Sequence, residues 1–218
     1  MKMLRRSRVE NYKSLIFLSM NNYSTKKEYQ YMPFIIRELE DKAGGGSIAM
    51  ADLDKSVSDS VAPGFFVGRD TKGLYHLLVA AVLFANAAAD ATSYQVKKNS
   101  QFKVGQFVTS GDVVGVKAYA ITAIDRSNPQ YDVITVGTSL GKALSEGKTL
   151  HQVKAEDAAG GKSELLYAPY GVAKNEIDLT KSHAETGISL RGSYNVANMA
   201  YGAPKVFRDA LPMMRFED

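Results

Sequence analysis

The residues best suited to proton transfer or metal binding in this chain are three histidines, His76, His151 and His183. A metal centre or a catalytic dyad shows itself in sequence as paired ligands at short spacing. Here the three stand far apart. His76 lies mid-strand in LYHLLV, where a packed or surface role is the expected one, and the other two fall in polar, turn-like sequence. Cysteine is absent, which removes thiolate metal sites, thiol nucleophiles and disulfides, and fits synthesis in a reducing cytoplasm. Asp125 and Asp132 flank a hairpin loop and are placed to flank a cleft. The competing reading is turn chemistry, in which Asp accepts backbone N–H groups at strand ends, and it is preferred. Glu156 and Asp157 sit in a soft charged loop and need no function. Gly137, Gly141 and Gly147 lack both the GxxxxGK[ST] phosphate loop and the GxGxxG dinucleotide spacing, so they read as tight corners in a β structure. No enzyme, cofactor or metal is expected.

The charge is more informative than any of these. Net charge is +4, and residues 1–25 hold it all: Lys2, Arg5, Arg6, Arg8 and Lys13 stand against Glu10 alone, leaving 22 basic and 22 acidic residues in the rest. A neutral body with a basic arm calls for an acidic partner at the arm, not for a nucleic-acid groove through the body. The same arm is rich in aromatics: Tyr12, Phe17, Tyr23, Tyr29, Tyr31 and Phe34. Disordered tails are poor in such residues. Two readings stand level. The arm lies as an extended segment on a surface, its own or a partner's, or it is a strand and helix packed into the main domain. The apolar run Leu15–Leu18 is four residues, too short for a secretory h-region. No apolar run approaches the length of a membrane-spanning helix.

The elements that must position these residues are mostly strands. Residues 34–39 are expected as a short helix closing the arm, which runs over 1–43. GGGS at 44–47 reads as a hinge, because glycines carry high backbone entropy and nothing to pack, and 44–62 as hinge and connector. The β-rich body is expected over 63–218. It begins with GFFVGR at 64–69, a turn at Asp70–Gly73, and a return strand from Leu74 to Phe84. Further strands are expected at 94–97, 102–109, 113–124, 132–136, 164–172, 187–190 and 213–216, with helical turns at 196–201 and 205–210, the latter opened by Pro204. Strands at this spacing, joined by Gly, Asp and Asn turns, predict a mainly β fold, a small barrel or sandwich with short helices and an extended N-terminal arm.

Four segments carry a resemblance. PGFFVGRDTKGLYHLLVAA at 63–81, VKKNSQFKVGQFV at 96–108, AITAIDRSNPQYDVITVGTSLGKALSEGKTL at 120–150 and ALPMMRF at 210–216 are similar to phage head fibre proteins, a capsid-decorating family of tailed phages. The likeness runs over roughly residues 45–218, and its motifs are structural; the family has no active site to carry over. The resemblance implies a structural protein on the capsid exterior of a virion, made in the bacterial host cytoplasm, assembled as a homo-oligomer, trimer or dimer, and bound to the major capsid protein. In that plan Arg5, Arg6, Arg8, Tyr12, Phe17, Tyr23, Tyr29, Tyr31 and Phe34 are the candidate capsid-anchoring residues. The rival readings are a cement protein without a projecting fibre, a β module that stacks host-surface glycans on its tyrosines, and a carboxylate-only hydrolase.

Overall fold

Alternation decides the strands. In Tyr131–Val136, Asp132, Ile134 and Val136 are buried while the residues between them are half-exposed, the two-residue period of a pleated strand with one face inward. The computed structural model describes residues 31–161 and 163–217, and Tyr31 onward forms one compact unit. The architecture is mainly β, as the sequence predicts. No helix among the described residues is long and apolar enough to cross a membrane.

Strands are numbered in chain order: β1 (Ile35–Asp41), β2 (Gly46–Ser47), β3 (Ser60–Val61), β4 (Phe66–Arg69), β5 (Tyr75–Leu77), β6 (Ala80–Val82), β7 (Ser93–Lys97), β8 (Phe107–Thr109), β9 (Tyr119–Asp125), β10 (Tyr131–Val136), β11 (Thr149–Val153), β12 (Ala168–Ala173), β13 (Ile177–Asp178), β14 (Glu185–Thr186), β15 (Ile188–Asn195) and β16 (Met214–Glu217). One short helix, α1 (Lys205–Asp209), follows Pro204.

They form two large sheets and two small ladders, β3 with β13 and β2 with β14. The first large sheet runs β1-β15-β12-β4-β5. β16 lies parallel to β15 along Gly192–Asn195, beyond the point where β12 pairs with Ile188 and Ser189. The second runs β6-β11-β8-β9-β10-β7. Its two ends meet: Leu83 pairs with Val96, and the Phe84 N–H donates to the Gln95 carbonyl at 2.9 Å. The second sheet therefore closes into a six-stranded antiparallel barrel, joined at this one bridge. Tyr94, Val96, Val108, Ile121, Ile134 and Leu150 fill its interior. The Tyr94 hydroxyl donates to the Ala91 carbonyl at 2.7 Å and accepts the Leu140 N–H at 3.1 Å, so the one polar atom of that ring is satisfied.

Between the two sheets the chain makes one continuous crossing. The single return strand expected over residues 74–84 is in fact two. β5 pairs with β4, and two residues later β6 pairs with β11. At the joint, Leu78 N–H donates to Phe66 and the Val79 carbonyl accepts Gln152 N–H, each at 2.9 Å. The long strand expected over 113–124 starts only at Tyr119, because Gly115 turns the chain at a φ of +80°. The strand expected over 164–172 likewise begins at Ala168.

The largest departures lie at the start. The helix expected over 34–39 is strand β1, paired antiparallel with β15. The glycine run is a turn, not a hinge. Gly45 takes a φ of +62° with the Thr186 carbonyl where a side chain would begin, and Gly46 begins β2 against the Tyr75 ring. From residue 31 onward, the residues assigned to the arm (1–43) and to the hinge and connector (44–62) therefore belong to the body. Residues 1–30 of the arm lie outside the described residues. A second apolar cluster, centred on Phe66, Val172, Tyr194, Met199 and Phe207, packs α1 and β16 on the first sheet, and Phe34 is part of it.

Candidate functional site

The residues singled out as capsid anchors divide. Arg5, Arg6, Arg8, Tyr12, Phe17, Tyr23 and Tyr29 lie outside the described residues. Tyr31 is exposed, while Phe34 is only 5% exposed. Phe34 stacks on Tyr194 with centroids 6.5 Å apart, and its carbonyl accepts the Asn195 N–H at 2.7 Å. Asn198 Nδ2 donates to the Pro33 carbonyl at 2.7 Å. Phe34 is thus withdrawn from any partner. It fastens the chain to its own body.

Beyond Phe34 the chain enters an open sheet edge. Among the described residues β1 borders only β15. Along or just before it Met32 is 70% exposed and Ile36 and Leu39 are each 54% exposed. Its register with β15 breaks between Ile35 and Arg37, between Glu38 and Glu40, and between Glu40 and Asp41. Bulges and charged side chains on an edge prevent strand-to-strand addition. These features disfavour a continued ladder at this edge. Lys174 holds the strand down, with Nζ 2.8 Å from both Glu38 Oε1 and Asp41 Oδ2. Hydrogen bonding to Asp41 and then Glu38 raises the lysine's pKa, and the same contact lowers that of Asp41. Glu40 lines a groove of about 340 Å³ whose other walls include Tyr170, Leu190, Leu211 and the exposed Met213. Edge and groove together offer an apolar contact surface on the described body.

The residues that looked capable of chemistry are spent on the scaffold. Asp125 accepts the Ser127 N–H at 2.9 Å, a turn contact that, with the Ser127 side chain, lowers its pKa. Asp132, its counterpart in sequence, is fully buried. Lys98 Nζ sits 2.9 Å from its Oδ1, the Ser100 N–H donates to its Oδ2 at 3.1 Å, and Arg126 Nε lies 3.9 Å away. The pair therefore flanks no cleft. One carboxylate closes a turn and the other anchors the barrel wall.

His76 is buried between two carboxylates. Its Nδ1 is 2.8 Å from Asp52 Oδ2 and its Nε2 is 3.6 Å from Asp70 Oδ2. Tyr167 stacks on the ring at 3.7 Å between centroids. Burial, then the charges of Asp52 and Asp70, push the Tyr167 hydroxyl's pKa up. With both nitrogens facing carboxylates of neighbouring turns, this imidazole pins β5 to the turn at Met50–Asp52 and to the β4–β5 turn. Sequence reasoning missed the constellation. Asp70 is an obvious turn residue, but nothing in spacing ties Asp52 to a histidine 24 positions on.

His151, on β11, is 2% exposed and meets Phe207 of α1 edge-on at 5.4 Å. Desolvation lowers its pKa to about 4, against an opposing pull from Asp112. It is neutral at physiological pH, a packed ring and not a base presented to solvent. Among the described residues no group of three or more His, Cys, Asp or Glu side chains could hold a metal ion.

The fold and site define a class, a barrel-plus-sheet β body with an apolar edge along β1. In comparison with known proteins, no family model, curated protein or solved structure matches this chain.

Proposed function

We propose that this chain is a structural virion protein that decorates the outside of a tailed-phage capsid as a head fibre, with residues 1–30 and the β1 edge making the contact with the major capsid protein. The family reading rests on the segments at 63–81, 96–108, 120–150 and 210–216. Those segments become β4 to β6, β7 and β8, β9 to β11, and β16, the walls and turns of the body. One observation carries the attachment reading. In sequence, the five cations of residues 1–25 precede a stretch, ending in an edge strand, that leaves Met32, Ile36 and Leu39 in solvent. A cationic, aromatic segment followed in sequence by an apolar edge suits an acidic protein surface with apolar pockets, where charge steers the approach and the edge side chains supply buried area.

The body, with its buried ion pairs and closed barrel, supplies rigidity. In this reading the protein is made in the bacterial cytoplasm and ends on the capsid exterior, in more than one copy per attachment site. The test is a truncation at Gln30, which keeps Phe34 and β1, mixed with capsids assembled from the cognate major capsid protein. Sedimentation is expected to show loss of capsid-bound protein while the melting temperature of the free body is unchanged. Undiminished occupancy by the truncated chain would overturn the attachment role.

A further inference from the structure

Where the barrel rim meets the segment before α1 there is a cleft of about 400 Å³ that none of the preceding roles uses. Its lining combines the aliphatic Val82 of β6, Val196 and Met199 with the cationic residues Lys97, Lys148 and, from α1, Arg208. Lys97 is the last residue of β7 and Lys148 immediately precedes β11, so the closed barrel brings together two lysines 51 positions apart in sequence. Among the described residues neither lysine is held in an ion pair, whereas the adjacent Lys98 is committed to Asp132. The one carboxylate on the lining, Asp112, is turned to donors of its own chain. Its Oδ2 accepts the Thr149 N–H at 2.6 Å and the Thr149 hydroxyl at 2.7 Å, and its Oδ1 accepts the Lys205 N–H at 3.2 Å. It shapes the cleft and leaves the rim positive.

We infer that this cleft binds a phosphate monoester carried on a small non-aromatic body, a sugar phosphate by size. Several features select that class. Lysine ammonium groups bind phosphate as point charges. Two lysines on one rim match a dianion. The volume lies in the range of small-ligand sites and accommodates one sugar ring. No aromatic ring lines it, so a nucleobase would find no stacking platform there. Gly147 lies open on the rim, with nothing within 4 Å of where a side chain would begin, which lets the ligand approach the backbone. The inference does not rest on the virion reading. A free metabolite and a phosphorylated sugar on a surface polysaccharide present the same group.

The test is calorimetric and NMR titration of the full chain with glucose 6-phosphate, with glucose as the neutral control, and surface binding to phosphorylated dextran for the polymer-borne group. Saturable binding of glucose 6-phosphate is expected, with amide shifts concentrated at Gly147, Lys148 and Gly202. Lys97→Gln and Lys148→Gln, both at exposed positions, are each expected to weaken it about tenfold or more, as loss of a charge-assisted hydrogen bond does, without altering the melting temperature. Binding of dextran phosphate in preference to the free sugar phosphate would assign the polymer as the source, and the reverse would assign the metabolite. The inference is overturned if glucose binds as well as its phosphate. It is also overturned if both variants bind like the parent, or if no saturation is seen below about 1 mM.

Discussion

Acidification is expected to destabilise this protein through His151, well before the bulk of its carboxylates protonate. The ring is 2% exposed beneath Phe207, and burial lowers its pKa from 6.5 to about 4. An unfolded chain therefore binds a proton at this site across the window between those values, while the folded one does not. Stability is then fully present above the unfolded pKa and falls as pH drops toward the folded one. Between about pH 7.5 and about pH 5.0 the two binding curves separate by a loss of about 2 kcal/mol. Asp112 already acts in the opposite sense within that value. The perturbation is His151→Gln, which removes the proton site while keeping a side chain of similar reach. Urea unfolding at the two pH values, followed by far-ultraviolet circular dichroism and tyrosine fluorescence, reads the difference; the chain has no tryptophan. The variant is expected to start less stable and to lose about 2 kcal/mol less than the parent on acidification. His76 and His183 are common to both proteins, so their contribution cancels in the comparison. Equal losses in parent and variant would refute the argument.

The packing supports two further expectations. Phe34→Ala is expected to cost about 3 kcal/mol or more in urea unfolding, since a buried phenyl ring is lost from beside Tyr194; a change under about 1 kcal/mol would mean that the ring is not part of the core. Lys98→Met is expected to cost about 2 kcal/mol or more, because it leaves a fully buried Asp132 short of its nearest cation. The exposed pair of Lys154 with Glu164 provides the contrast: Lys154→Met is expected to change stability by less than about 0.5 kcal/mol. Similar effects of the two lysine substitutions would show that burial of Asp132 is not what gives the pair its weight.

Much of the fold is legible where the physics is local. The β4–β5 turn follows from Asp70, whose Oδ1 accepts the N–H groups of Lys72 and Leu74, and from Gly73, which takes a φ of +88°. β10 follows from its alternation, and α1 from Pro204. β1 is not legible in the same way. IIRELED is composed largely of good helix formers, and it becomes a strand because β15 offers a free edge and Lys174 a clamp for Glu38 and Asp41. The glycine run misleads for a related reason. Three glycines without neighbours describe a flexible link, whereas Gly45 against Thr186 and Gly46 against Tyr75 are the residues small enough to fit.

The candidate sites show the same division. Asp125 and Asp132 stand in nearly equivalent sequence contexts, yet one ends in a solvent-facing turn and the other wholly inside. The asymmetry of charge, the exclusion of thiol chemistry and the β class are properties of composition and short-range pattern, and the sequence by itself determined them. Barrel closure through Leu83 and Val96, the bracketing of His76 by Asp52 and Asp70, and the placing of Lys97 and Lys148 on one cleft were decided only by the tertiary structure. Backbone preference and side-chain alternation are set by neighbours along the chain, whereas the partner of a strand or of a charge is chosen among residues tens of positions away.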